Sequence, residues 1–275
     1  MARPLLAWLT DFGLSDIYVG VMKGAALSIA PDATCVDVTH GIEPQDVQGG
    51  ALALLDSYRF FPKGTIFVAV VDPGVGTARA ALAFASGGYV FLGPDNGLLS
   101  LAVRDAGSAV AVTLDNPARI APTVSRTFEG RDRFAPAAGW LARGLALSEL
   151  GPAVSTWAQI QLPDVRRVEG RLEGEVLTVD RFGNAITNIR TADLGELARE
   201  QASWHAVVGG RSVPLVETYG ACATGDVCAL FGSAERLEIA RVGGHAASYL
   251  GLRRGDTVVL RVAALLSGAQ GGAER

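Results

Sequence analysis

Three histidines and three cysteines are all that 275 residues offer to metal or thiol chemistry. Cys35, Cys222 and Cys228 are too few and too irregularly spaced for a disulfide framework, and none sits in a C-x-x-C pair. A reducing, cytoplasmic setting is therefore expected. His40, His205 and His245 are scattered, so no metal centre is expected and each reads as a structural residue. Positive charge is not in excess: 24 Lys and Arg against 28 Asp and Glu leave a net charge of −4 with no basic stripe, which argues against nucleic-acid binding. Long apolar runs are missing too. The opening "MARPLLAWLTDFG" meets an acid and a glycine too soon for a membrane span or a signal segment. A dinucleotide loop is also absent, because "VVDPGVGTARAAL" fails G-x-G-x-x-G at its last position, where Arg79 stands.

What is present suits a globular chain of one large or two smaller domains, with 49% apolar and 19% charged residues. The first half alternates strands and helices, the mark of a mainly parallel α/β sheet. "LLAWLT", "TCVDVT" and "GTIFVAVVD" read as strands, and "DVQGGALALLDSYRFF" as a helix between the last two. Ser15 is placed to cap a helix over "DIYVGVMKGAALSIA", with Ile17, Val21, Ala25 and Ile29 on one stripe. "ALAFA" and "GYVFLGPDNG" predict a hairpin with a type I or I′ turn, and "RDRFAPAAGWLARGLAL" a closing helix. Beyond residue 165 the pattern changes to short alternating runs between glycines, from "RLEGEVLTVD" to "TVVLRVAAL". The expected organisation is an α/β domain over 1–165 and an antiparallel, barrel-like β domain over 166–275, with the tail "SGAQGGAER" disordered.

Ligands of open α/β sheets bind outside the carboxyl ends of the strands. Asp72 ends a strand there, and a Pro-Gly turn leads from it to Arg79 seven residues on. Taken alone, the pair is either a site or a surface ion pair. Asp11 ends the first strand, where a carboxylate can accept hydrogen bonds from a diol or cap a helix. Asp16 follows as a possible first-turn charge on the helix dipole.

Four segments, "LTDFGLSDIYVGVMKG", "VVDPGVGTAR", "TFEGRDRFAPAA" and "VDRFGNAITNI", stand in an order that resembles the S-adenosyl-L-methionine hydroxide adenosyltransferases, hydrolytic relatives of the fluorinase and chlorinase. The likeness continues through "DVTHGIEPQDVQGGA", "GPDNGLL" and "GSAERLEIARVGGHAASYLGL". It implies a homotrimer whose active site lies between the N-terminal domain of one subunit and the C-terminal domain of the next. The implied reaction is attack of water or hydroxide on the 5′-carbon of S-adenosyl-L-methionine, giving adenosine and L-methionine. S-Adenosyl-L-methionine is then substrate, with no cofactor and no nucleic-acid or membrane partner. By the same resemblance Asp11 holds the ribose diol, Asp16 and Ser233 the methionine ammonium and carboxylate, and Phe182 and Asn184 the adenine. Tyr219 and Arg241 add further substrate contacts.

For catalysis the resemblance implies an Asp-Arg-His set. Asp72 and Arg79 match its first two members, but the expected motif T-F-H-G-R-D reads "TFEGRD" here, with Glu129 in place of histidine. Imidazole takes a proton near neutrality, whereas a free carboxylate is already ionised and a weaker base. Glu129 is thus either a base or a group that orients water. Weak base catalysis is tolerable because in-line positioning can supply roughly 7–11 kcal/mol, against a factor of about 10²–10⁴ for base help. The sulfonium leaving group also lets hydroxide attack neutralise charge in a dry pocket. A carboxylate at the nucleophile site would repel halide, so Asp72 speaks against a halogenase. The rival expectation is a binding protein for S-adenosylmethionine or adenosine that lost its base with the histidine.

Overall fold

The computed structural model describes residues 3–121, 125–168, 170–199 and 204–262. It divides into two compact units, Met1–Ile160 and Gln161–Arg275.

The first unit carries β1 (Leu5–Thr10), β2 (Thr34–Thr39), β3 (Ile66–Val70), β4 (Ala81–Ser86), β5 (Tyr89–Pro94), β6 (Ala109–Thr113) and β7 (Ala153–Val154), in the spatial order β2-β1-β3-β5-β4-β6-β7. The run β2-β1-β3-β5 is parallel, and β4, β6 and β7 extend it antiparallel. Every residue of β3 is buried, as expected of a central strand covered on both faces. Helices α1 (Tyr18–Ile29), α2 (Val47–Ser57), α3 (Ser100–Ala106) and α4 (Ala135–Ala142) supply the cover. α1 packs on α4 and α2 on α3. Leu6, Trp8, Val68, Met22, Ala26 and Ala138 meet in one core cluster. Gly87 and Gly88, both at positive φ, turn the β4–β5 hairpin as the I′ alternative requires.

Three details differ from the sequence expectation. α1 starts at Tyr18 with Ile17 at its N-cap and no side-chain cap, so Ser15 does not cap it. Its buried seam is Val19, Met22 and Ala26, while Ile17 is exposed. The cause is the preceding loop, where Gly13 (φ 66) donates its N–H to the His40 carbonyl at 2.8 Å and holds residues 11–16 out of the helix. α4 stops at Ala142, short of the predicted run, because Gly144 takes φ 90.

The named strands of the second unit all pair antiparallel, from β8 (Arg166–Val168), β9 (Arg171–Val179), β10 (Ala185–Arg190) and β11 (Trp204–Val208) to β12 (Arg211–Pro214), β13 (Val227–Phe231), β14 (Arg236–Arg241) and β15 (Thr257–Val262), with α5 (Ala246–Leu250) before the last strand. The order is β12-β11-β15-β9-β10-β14-β13, with β8 on β9. A bridge between Leu215 and Ala229 brings the two ends of this path together, so the sheet nearly closes into a barrel around Leu172, Ile189, Trp204, Val258 and Leu260. The tail "SGAQGGAER" lies outside the described residues. No helix among the described residues is long and apolar enough to cross a membrane.

Candidate active site

Asp72 lies two residues past β3, and the "DPGVGTAR" turn folds Arg79 back onto it. Val75 N–H reaches the Asp72 carbonyl at 3.3 Å, and the Thr77 hydroxyl donates to the Gly74 carbonyl at 2.7 Å. Gly76 takes φ 79, and a Cβ there would sit 2.4 Å from the Arg126 carbonyl oxygen, so only glycine lets the segment leading to Glu129 press on this turn. Arg79 grips Asp72 with two hydrogen bonds, Nε to Oδ1 at 2.8 Å and Nη2 to Oδ2. The same Nη2 donates to Glu129 Oε2 at 2.8 Å. The three side chains are 5%, 9% and 13% exposed for Asp72, Arg79 and Glu129. Burial pulls the Arg79 pKa down, but its bonds to Asp72 and the charge of Glu129 outweigh that and raise it. The guanidinium stays charged. Both Asp72 oxygens are engaged by Arg79, whereas Glu129 Oε1 has no hydrogen-bond partner among the described residues.

Glu129 opens a widened helical turn, Gly130–Phe134, where Ala135 N–H bonds the Gly130 carbonyl five residues back before α4 continues. Buried Asp132 anchors that loop by accepting Ser125 N–H at 2.8 Å and Arg131 Nη2 at 2.7 Å. The Arg131 bond holds its carboxyl below the usual range despite burial. Phe128 meets Tyr18 at 5.2 Å and Phe12 at 6.2 Å between ring centroids, which joins the Glu129 loop to the loop of Asp11.

Asp11 follows β1 and accepts Gln45 N–H on Oδ2 at 2.8 Å. Gln45 is held at φ 68, an unusual conformation for a non-glycine. Behind it, buried His40 shares a hydrogen bond between Nδ1 and the Thr10 hydroxyl at 2.8 Å, and its Nε2 lies 3.0 Å from Asp37 Oδ1. Asp16 is exposed in the loop before α1, not in the helix's first turn, and bonds no described residue.

In the second unit a cavity of about 860 Å³ is lined by Phe182, Asn184, Tyr219, Ser233 and Arg241, the five residues singled out from this half of the sequence. Its volume is that of a small-molecule site. Asp180 and Glu238 line it as well and were not anticipated. Asp180 accepts the backbone N–H groups of Phe182 (2.9 Å) and Asn184 (2.8 Å) and the Asn184 amide (3.0 Å). This tightens the "RFGN" turn, at whose tip Phe182 is 79% exposed. Gly183 (φ 87) lies against the His245 ring, where a Cβ would collide at 2.1 Å. The Tyr219 hydroxyl donates to Glu238 Oε2 at 2.7 Å. Arg241 donates Nε to the Gly225 carbonyl at 3.0 Å and stacks 4.1 Å over Tyr249.

Burial raises the Glu238 pKa, the Tyr219 bond lowers it, and the charge of Asp180 raises it again, for a net upward shift. A carboxyl raised in the fold binds more protons folded than unfolded, so it favours folding below its unfolded pKa and loses that contribution as pH rises through the folded value. Glu238→Gln should therefore gain stability relative to the parent as pH climbs from 4.5 to 8. Thermal melts of both proteins across that range check this. A difference independent of pH would refute it.

The first unit presents an acid–arginine–acid cluster at the carboxyl edge of its sheet, and the second a cavity lined with carboxylates and aromatic rings. This defines a two-domain small-molecule protein of the α/β-plus-barrel type. The chain belongs to the SAM hydroxide adenosyltransferase family, with residues 6–151 matching its N-terminal domain and 174–259 its C-terminal domain. It is 43% identical over 266 residues to the (R)-S-adenosyl-L-methionine hydrolase of Thermus thermophilus, covering 94% of this chain and 99% of the relative. A fluorinase of an Actinoplanes species is more distant, at 32% identity over 94% of this chain and 97% of its own. The crystal structure of an uncharacterized conserved protein from Thermotoga maritima superposes with a TM-score of 0.87 at 33% identity, covering 93% of this chain and 99% of that one.

Proposed function

We propose that this protein hydrolyses S-adenosyl-L-methionine, with water attacking the ribose 5′-carbon. The oxygen–carbon bond forms as the carbon–sulfur bond breaks, and the electron pair goes to sulfur. Methionine leaves as a neutral thioether and adenosine remains. One observation carries the mechanism: Arg79 engages both oxygens of Asp72, while Glu129 keeps Oε1 free to hold the water and take its proton. Two carboxylates at that point repel halide, which favours water over a halogenase's nucleophile. The reaction as written calls for no cofactor.

Substrate contacts follow the residues already placed. Asp11 takes the ribose diol, Asp16 and Ser233 the methionine end, and Phe182 and Asn184 the adenine, with Tyr219 and Arg241 beside them. The division of labour falls between 1–165 and 166–275, and the two halves of the site meet across subunits of a cytoplasmic homotrimer. Phe182 is 79% exposed, which leaves its ring available to stack on adenine. Sedimentation showing a fully active monomer would overturn the trimer.

Incubating the protein with S-adenosylmethionine and chromatographing for adenosine and methionine tests the reading. Binding without product would instead support a protein that has kept the site and lost the chemistry. Asp11→Ala should weaken substrate binding by about 1.5–3 kcal/mol while changing kcat little, as expected on losing a charge-assisted acceptor. Asp11 also pins Gln45, so Asp11→Asn is the control. An unchanged Kd in both variants would remove the ribose assignment.

A further inference from the structure

Glu129 has a second cationic neighbour that the reaction above leaves unused. Arg133 lies one helical turn on, with Nε 3.8 Å from Glu129 Oε2, the same oxygen that Arg79 binds at 2.8 Å. The far end of Arg133 is fastened, since Nη1 donates to the Leu114 carbonyl at 2.6 Å and to Asp115 Oδ1 at 3.3 Å. Its Nε is buried and has no hydrogen-bond partner among the described residues. A buried N–H is costly to leave unpaired, and this one has a carboxylate oxygen just beyond hydrogen-bond range.

Charge gives the contact a purpose. Asp72, Arg79 and Glu129 alone sum to one net negative charge in a largely buried site. Arg133 brings the sum to zero, with Asp115 as its own more solvated partner, 58% exposed. We propose that Arg133 is a positioning residue: from its place beside Oε2 of Glu129 its charge holds that oxygen together with Arg79 and keeps Oε1 directed at the attacking water. A carboxylate at position 129 needs this second cation. An imidazole there would not, and once protonated would be repelled by it. The inference rests on Glu129 handling the water, as proposed above.

A double-mutant cycle on the full chain tests it, with kcat and KM for S-adenosylmethionine hydrolysis measured for the parent, Arg133→Met, Glu129→Gln and the pair. Arg133→Met should lower kcat about tenfold with KM changed less than about twofold, and should have almost no effect once residue 129 is glutamine. Arg133→Lys, which restores charge without the fork, should recover part of kcat. An equal loss of kcat in both backgrounds would mean that Arg133 acts through the Leu114 carbonyl and the fold, and would overturn the proposal. An effect confined to KM would do the same. If melting shows that Arg133→Met has lost its fold, Arg133→Lys carries the cycle. A parent that yields no adenosine overturns the hydrolase reading and this proposal with it. A parent that turns over without coupling overturns this proposal alone.

Discussion

Glutamine at position 129 is expected to bind S-adenosylmethionine almost as the parent does and to hydrolyse it about 10²–10⁴-fold more slowly, or nearer tenfold if the carboxylate only orients water. The amide keeps the shape and can still accept from Arg79, so the cluster should stand. What it loses is the ability to take a proton at Oε1, the oxygen left free by the protein. Histidine at the same position provides the converse. Glu129→His should be active, with a rate that rises with pH through the imidazole range of about 6.5, because only neutral imidazole accepts the proton. Single-turnover rates across pH 6 to 9 check both variants. Glu129→Gln turning over as fast as the parent throughout would leave Asp72 and Arg79 as the functional pair.

How far this site could be read in advance depended on how local its parts are. Asp72 and Arg79 are joined by one turn, and a strand ending in an acid followed by Pro-Gly declares itself in eight residues. Glu129 is fifty positions from its partner Arg79, and no periodicity links them. Only the resemblance of "TFEGRD" to a known motif did so. Asp180 and Glu238 escaped notice for different reasons. Asp180 looked like the end of a strand before a turn, and its bonds to the turn's own N–H groups show only in three dimensions. Glu238 sits in "RLEIAR", where strand alternation gives no warning that an acid will be buried beside a tyrosine. The fold shows the same divide. Strands with strong apolar patterns were legible, whereas the short α3 and β6, "SLAVRDA" and "AVAVT", were not singled out, because brief alanine–valine runs suit helix and strand alike.

Methionine in place of Arg79 is expected to have the largest combined effect, removing hydrolysis and destabilising the α/β unit. Asp72 and Glu129 are 5% and 13% exposed at their side chains, so without the guanidinium two carboxylates face each other with little water to screen them. Breaking a buried ion pair from one side costs about 3–5 kcal/mol. For a unit of this size that lowers Tm by roughly 10 °C. Thermal melting of the purified variant measures it. Adding Asp72→Asn to Arg79→Met should recover a large part of the lost stability, because one unpaired charge becomes a neutral amide, and should recover no activity. That split separates what the arginine does for the fold from what it does for the reaction. If Arg79→Met melts with the parent, the three side chains do not form the tight cluster on which the water-handling role of Glu129 depends.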